Sequence, residues 1–368
     1  MTQPTKSYDS VSVKKLNKSR VEITGSIPAS VWEKYRGQAL KNINNSITID
    51  GFRKGMVPEN VLVAKVGDKA ILEEMTELAL SKVYIDILIA EKIDAIDKPD
   101  IVVTKLAAGN PLEFVATTAV VPEVKLPDYV KIAAAEARKS DADALKVTEK
   151  DIDDAILTIR KRHATNKLHS PENEEHNHDH DKMSAEDHDK AVEAAMPEIT
   201  DEFVKTVGDF TDVADFRNKV SDMLAEKKQD EAREKLRIRV SDAIIDATTV
   251  EIPDTMVDNE LERIQAQFSA DVERMGVKLE DYIKHAKKTL EEIRTEWRPS
   301  AEKKAKLQLI LNEIAQKEKL TPDAKEVEEQ VEHILEHYKD ADREKATIYA
   351  ETVLANEKVF QFLEDSGK

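Results

Sequence analysis

Beyond Gly109 the chain holds only three glycines, Gly208, Gly276 and Gly367, in a sequence of 368 residues. Tight turns depend on residues that accept positive φ, and glycine supplies most of them, so a stretch this poor in glycine cannot reverse direction often through hairpins. Only 12 prolines occur, charged residues reach 35% and aromatics 5%. That balance favours long helices over sheets. The second two-thirds of the chain is therefore expected to be nearly all helix.

The first third reads differently. Residues 11–27 alternate apolar and polar, which predicts one or two strands around a turn at Asn17 to Ser19. Pro28 then opens a helix, with Val31, Tyr35, Ala39 and Ile43 at helical spacing up to Asn44-Asn45. A second helix is predicted from about Glu59 to Lys92, with Ile71, Met75, Leu78, Val83, Ile85 and Leu88 among its apolar positions. Two strands follow, Asp100 to Leu106 and Leu112 to Val121, joined by a turn at Ala108 to Pro111. These elements predict a small α+β domain over residues 1–121. Pro122 and Pro127 mark an extended linker that is expected to continue as a strand into Ala134. Thr148-Glu149-Lys150-Asp151 has the pattern of a capping box and starts a helix carrying Ile152, Ile156 and Ile159, which fades at Thr165. Helical patterning resumes near Phe203 and runs to Leu363, with breaks expected near Pro253, Gly276, Pro299 and Pro322. Thr321-Pro322 reads as an N-cap followed by proline at the first helical position. Heptads are not sustained, so these helices are expected to pack as hairpins rather than as one coiled coil.

The net charge is −18, yet residues 1–60 carry ten Lys/Arg against five Asp/Glu. A basic amino-terminal end on an acidic body suits contact with a polyanion through that end alone, and also fits an uneven scatter of solvated charge. The chain has no cysteine, which excludes disulfides, thiolate metal sites and cysteine nucleophiles. Its first residues, Met1-Thr2-Gln3-Pro4, lack a basic-then-apolar signal pattern, and no apolar run approaches the roughly 18 residues of a membrane span. A soluble cytoplasmic protein is the expectation.

Gly51-Phe52-Arg53-Lys54-Gly55-Met56-Val57-Pro58 lies between the two amino-terminal helices. The glycines allow a tight loop with positive φ and the proline marks the start of the next helix, so Phe52, Arg53 and Lys54 should project at a tip. An exposed aromatic beside two cations suits docking on a surface with an apolar spot and acidic groups. A glycine-flanked turn between helices is also an ordinary connection, and spacing alone leaves both readings open. Gly-Phe-Arg-x-Gly-x-x-Pro resembles the ribosome-binding signature of bacterial trigger factors. Met196 to Phe203 is similar to the segment where that family's helical domain resumes. Val250-Glu251-Ile252-Pro253 and the stretch Leu290 to Arg294 with Trp297-Arg298-Pro299 and Ala301-Glu302-Lys303 are similar to its first arm. The resemblance implies an α+β, mostly α fold: a ribosome-binding domain followed by a discontinuous, elongated helical domain with two arms. Residues 122–166 would be the linker and first part of that domain, and 197–368 the remainder with the arms. It also implies an ATP-independent chaperone, while the charged helices by themselves would equally suit a helical scaffold or adaptor protein. Gly51, Phe52, Arg53, Lys54, Gly55 and Pro58 would dock at the exit tunnel of the large ribosomal subunit, and nascent chains would be sheltered by the helical arms. Neither a membrane nor a specific nucleic-acid sequence is an expected partner, and a homodimer off the ribosome is admitted. No Walker loop or dinucleotide fingerprint is present, and no cofactor is expected.

Family members usually insert a prolyl isomerase, similar to the FK506-binding fold, where this chain has residues 167–196. Those thirty residues hold nine acids, three lysines, five histidines, no aromatic and no glycine. They cannot supply a glycine-turned sheet or an aromatic proline pocket, so isomerase activity is not expected. The stretch should be disordered or loosely helical, with no buried core. His169, His176, His178, His180 and His188 could hold Zn²⁺ or Ni²⁺ weakly, or serve only a solvated linker. His333 and His337 are spaced i, i+4, but no Glu follows His333, and with His285 they read as helix surface. None of the 74 acidic residues is assigned to catalysis. Met223, Met256, Phe268 and Met275 lie on helical stretches where flexible side chains suit promiscuous client binding, and core packing would use the same residue types.

Overall fold

The computed structural model describes residues 7–139, 145–168 and 185–366. Strands β1 (Ser10–Leu16) and β2 (Arg20–Ile27) come first. Helix α1 (Ala29–Trp32), a 3-10 turn at Glu33–Tyr35, α2 (Arg36–Ser46) and α3 (Glu59–Glu91) follow, then β3 (Asp100–Lys105) and β4 (Leu112–Ala119). The remainder is helical: α4 (Tyr129–Ala137), α5 (Glu149–Leu168), α6 (Ala185–Ala194), α7 (Asp201–Val207) and α8 (Val213–Ala247). It ends with α9 (Asp254–Arg274), α10 (Leu279–Ala286), α11 (Leu290–Glu318), α12 (Ala324–His337) and α13 (Arg343–Asp365). The fold class is α+β, mostly α, as the glycine distribution requires.

The chain divides into two units, Met1–Pro127 with Ile245–Thr321, and Asp128–Ile244 with Pro322–Lys368. In the first unit a four-stranded antiparallel sheet has the order β1-β2-β4-β3. Lys18 and Ser19 both take positive φ, at 58° and 50°, which matches the twist of a tight hairpin between β1 and β2. Alternation along β2 and β4 points Val21, Ile23, Ile27, Leu112, Phe114 and Ala116 to one face, where Trp32 and the α3 residues Leu62, Ile71, Met75, Ala79, Val83 and Ile87 cover them. Gly25 is paired with Phe114, and a Cβ at Gly25 would stand 2.6 Å from Cζ of that ring, so the close packing requires glycine. Helix α3 bends at Gly67, where φ is 80°. Ile85, among the apolar positions of the sequence pattern, is exposed on the far face with Ile89.

The same unit contains the antiparallel pair α9 and α11, joined along Val257, Leu261 and Ala301 with Ile252, Ile264 and Trp297 at the margins. Its base is tied to the sheet. Lys18 N–H and Ser19 Oγ donate to the side chain and carbonyl of Glu251 at 2.7 and 2.8 Å, and Lys18 Nζ lies 2.7 Å from Asp254. Asp97 accepts from Thr118 Oγ1 at 2.6 Å, Ala119 N–H at 2.8 Å and Thr255 Oγ1 at 2.9 Å. Burial raises the pKa of Asp97, but these donors outweigh it and hold the carboxyl below its usual range.

In the second unit α5, α7 and α8 share a core of Ile152, Ile156, Phe203, Val204, Phe216 and Val220. Thr148 and Asp151 cap α5 reciprocally, N–H to side chain, at 2.9 and 3.2 Å. Helices α12 and α13 form a hairpin along Val327, Val331, Ala346 and Ala350. Arg237 on α8 meets both oxygens of Glu357 at 2.7 Å and Glu364 at 2.5 Å, with its guanidinium over the Phe360 ring.

Four sequence expectations are corrected. The stretch into Ala134 is helix α4 rather than a strand, because Asp128 caps it by accepting from Lys131 N–H at 3.2 Å and Tyr129 and Ala133 bury on one face. Pro299 does not break α11. One backbone bond is lost there, but Ala301 in the seam and Ala305, Leu309 and Ile310 further along stay buried and hold the helix together. The N-cap of α12 is Asp323, which accepts from Lys325 N–H at 2.7 Å, and not Thr321. Within 167–196, α5 runs on to Leu168, past the expected end at Thr165, and α6 is a regular helix whose Val192 is buried, so this part does contribute to a packed interior. His169, His176, His178 and His180 lie outside the described residues.

Candidate functional site

The loop from Ile47 to Pro58 leaves the amino-terminal core and returns to it, so its shape depends on how its two feet are held. At one foot Ile47 and Ile49 pack against the core, and at the other Val57 is buried. Asn44, in the last turns of α2, joins them. Its Nδ2 donates to Val57 O at 2.9 Å, its Oδ1 accepts Val57 N–H at 3.2 Å, and its carbonyl accepts Gly55 N–H at 3.1 Å. Between the feet, Phe52 N–H donates to Ile49 O and Met56 N–H to Arg53 O, which makes two consecutive turns. Gly51 and Gly55 have φ of 87° and 81°, values that L side chains rarely adopt. A side chain at Gly55 would also stand 2.7 Å from Asn45 Oδ1.

The result is a tip on which Phe52 is 38% exposed and Met56 72% exposed, with Arg53, Lys54 and Asp50 in solvent. No ion pair reaches Arg53 or Lys54 among the described residues, so both charges are available to a partner. The resemblance of the motif singles out Gly51, Phe52, Arg53, Lys54, Gly55 and Pro58. It misses Met56, which adds to the apolar surface of the tip, and Asn44, which fastens it. The one available signal for Asn44 is an Asn pair at a helix end just before a glycine loop.

The four proposed client residues are not brought together. Met256 and Phe268 are half-buried on α9, and Met275 is 66% exposed just beyond its end. From Met256 to Met275 the helix rises about 28 Å, at roughly 1.5 Å per residue. Phe268 packs edge-on against both Tyr282 and Trp297, with ring centres 5.3 and 5.1 Å away. Met275, Val277 and Tyr282 then form an exposed apolar end to this helical pair. Met223, in the second unit, is 58% exposed beside a small cavity of about 220 Å³ lined by Ile159, Val207, Phe210, Phe216 and Val220. Sequence reading misses a further apolar stripe on α13, where Ile348, Tyr349 and Val353 face solvent.

His285, His333 and His337 sit at the surface, whereas His163 on α5 is half-buried and edge-on to Phe203 with ring centres 5.3 Å apart. His333 and His337 meet edge-on with ring centres 4.6 Å apart, and His285 Nδ1 lies 2.7 Å from Asp281 O. Among the described residues no group of three or more His, Asp or Glu side chains is placed to hold a metal ion. No helix among them is long and apolar enough to cross a membrane.

Two family models match, that of the bacterial trigger factor protein over residues 10–159 and that of its C-terminus over 212–364. Residues 160–211, which contain the histidine-rich stretch, fall between them. Trigger factor of Carboxydothermus hydrogenoformans is 25% identical, with 96% of this chain and 98% of that protein aligned. Trigger factor of Streptomyces coelicolor is also 25% identical, over 86% of this chain and 80% of its own length. A solved trigger factor chaperone structure, described for promiscuous substrate recognition in folding and assembly, superposes with a TM-score of 0.58 at 18% identity. It covers 98% of this chain and 100% of its own. With both halves matched by the family's own models in the right order, the chain belongs to the bacterial trigger factor family of ribosome-associated chaperones.

Proposed function

We propose that the chain docks on the large ribosomal subunit beside the exit tunnel through Phe52, Arg53, Lys54 and Met56, and shelters emerging polypeptides without ATP in the cytoplasm. The observation that carries this reading is the fastened tip. Its charges are unpaired and its apolar groups exposed before any partner arrives, so little ordering entropy is lost on docking. The cations face the phosphates and acidic groups of a ribosomal surface, and Phe52 with Met56 supplies an apolar anchor. Gly51, Gly55 and Pro58 hold the shape of the loop rather than touch the partner. Clients meet distributed apolar surface, including Met223, Met275, Val277, Tyr282 and the α13 stripe. Met256 and Phe268 are better placed to support that surface than to contact a client. A homodimer off the ribosome would draw on the same exposed groups.

The chaperone acts without prolyl isomerase activity on this reading. The residues that replace the isomerase domain include no aromatic side chain to line a proline pocket. Replacing Phe52, Arg53 and Lys54 together by Ala is expected to weaken co-sedimentation with ribosomes at fixed salt while leaving thermal unfolding within a few degrees of the parent. Undiminished co-sedimentation would remove the tip from the mechanism. A proline-limited refolding assay checks the second part, and acceleration by the intact protein would contradict it.

A further inference from the structure

The two edges of the sheet are protected to different degrees. Edge strands that stay monomeric are usually blunted by lysines, bulges or covering segments. β1 carries Lys14 and Lys15, with Lys18 in the turn that follows. On the other edge β3 begins Asp100-Ile101-Val102-Val103, with no lysine until Lys105, and a register irregularity falls only between Val103 and Lys105. Val102 is 56% and Val103 36% exposed. No backbone hydrogen bond to the outer side of this edge occurs among the described residues.

Helix α3 and that edge flank a groove of about 470 Å³. Ile101, Val103, Leu80 and Leu106 line the groove, and Glu73 and Glu77 stand on its α3 rim. Lys69 approaches Glu73 at 3.7 Å in an exposed contact, and no cation pairs with Glu77 among the described residues. A fifth strand laid against β3 would direct alternate side chains into this groove. We infer that the β3 edge and the α3 groove bind an extended, basic segment of an unfolded polypeptide as a fifth antiparallel or parallel strand. Backbone pairing along Asp100 to Val103 supplies sequence-tolerant affinity, the groove takes β-branched side chains, and the acidic rim favours Lys or Arg two residues away on the same face. The irregularity after Val103, and Lys105 held 3.2 Å from Glu113, limit the pairing to about four residues, roughly 13 Å of strand. The inference rests on the chaperone reading only for the source of the occupant, and it places a client contact on the ribosome-binding half of the chain, away from the tip.

The test uses the purified full chain and a fluorescein-labelled eight-residue peptide, Val-Thr-Lys-Thr-Val-Thr-Lys-Thr, in which valine and lysine share one face of the strand. Saturable binding by anisotropy is expected, with slowed amide exchange at residues 100–103. Val103→Lys should weaken binding by about tenfold or more, since it places a charge in the groove. Glu77→Gln should weaken it by about threefold and flatten its salt dependence. A peptide with glutamate for lysine, or with proline at two valine positions, should not compete. Equal binding by the parent and Val103→Lys, or by the glutamate peptide, overturns the proposal. So does concentration-dependent self-association that Val103→Lys abolishes in the absence of peptide binding, which would assign the edge to a second copy. Ribosome co-sedimentation of both variants reports on the docking reading separately, because the tip is untouched.

Discussion

Asn44→Ala should loosen the Gly51–Met56 tip without unfolding the domain. The substitution deletes two side-chain hydrogen bonds, 2.9 and 3.2 Å long, to the carbonyl and amide of Val57. Val57 is buried, so water does not simply take their place. At about 1 kcal/mol net for each bond the loss is roughly 2 kcal/mol, which corresponds to an approximately 30-fold shift toward the open loop. The bond from Gly55 N–H to Asn44 O belongs to the backbone and survives, so the helix end itself is spared. Amide exchange followed by mass spectrometry or NMR reads this directly. Exchange at Met56 and Val57 should quicken by about 30-fold, while amides of α3 and β4 change little. Co-sedimentation with ribosomes should fall in the same direction, because only the closed fraction presents the tip. Asn44→Asp keeps an acceptor for Val57 N–H and should recover part of the loss. Unchanged exchange at Val57 would refute the fastening role. Equal acceleration through α3 and β4 would show instead that Asn44 supports the whole domain.

Two further outcomes concern the second unit. Arg237→Met leaves Glu357 and Glu364 facing each other across a partly buried contact and should cost about 2–3 kcal/mol in urea unfolding, with Glu357→Gln in the same chain restoring part of it. The carboxyl of Asp151 is held down to about 2 by donors from Lys228 and from the amide and hydroxyl of Thr148. Its folded value lies below the unfolded one, so its stabilising contribution is present above pH 4 and is lost as pH falls from about 4 through 2. Asp151→Asn should therefore be less stable at neutral pH and show a flatter decline in that acid window.

Much of the amino-terminal region is legible in the sequence because its signals are local. The strand alternation of residues 11–27, a turn at 17–19 and the glycines at 51 and 55 each act within a few residues, and the elements form where the pattern places them. The departures are of two kinds. At Asp128 and Asp323 a cap is present in the sequence but is masked by nearby prolines, which carry the stronger local signal. At Pro299 the local rule is sound, yet the helix is sustained by the burial of Ala301, Ala305 and Leu309 in tertiary packing that no local window contains. The candidate site divides the same way. The exposed turn at Phe52, Arg53 and Lys54 is legible from its flanking glycines, and its proposed docking role only from the motif's family resemblance. The Asn44 to Val57 fastening spans 13 residues, and the β3 groove joins residues 73–81 to 101–106, so neither announces itself in sequence.

The ties between the amino-terminal sheet and the start of α9 also set a timetable for the protein's own birth. Lys18 and Glu251 are 233 residues apart, and Asp97 and Thr255 are 158 apart. The sheet and its covering helices draw their core from Tyr8 to Ala116, so that part can close as soon as residue 120 or so has emerged. About 130 more residues must then be added before Glu251 exists, which at roughly 5–20 residues per second takes on the order of 6–26 s. During that interval Asp97 has Thr118 and Ala119 for company but not Thr255, and the left-handed turn at Lys18 and Ser19 has no carboxylate to hold it. The early part must therefore stand on its own apolar interior, and the latch can only lock a structure that has already formed.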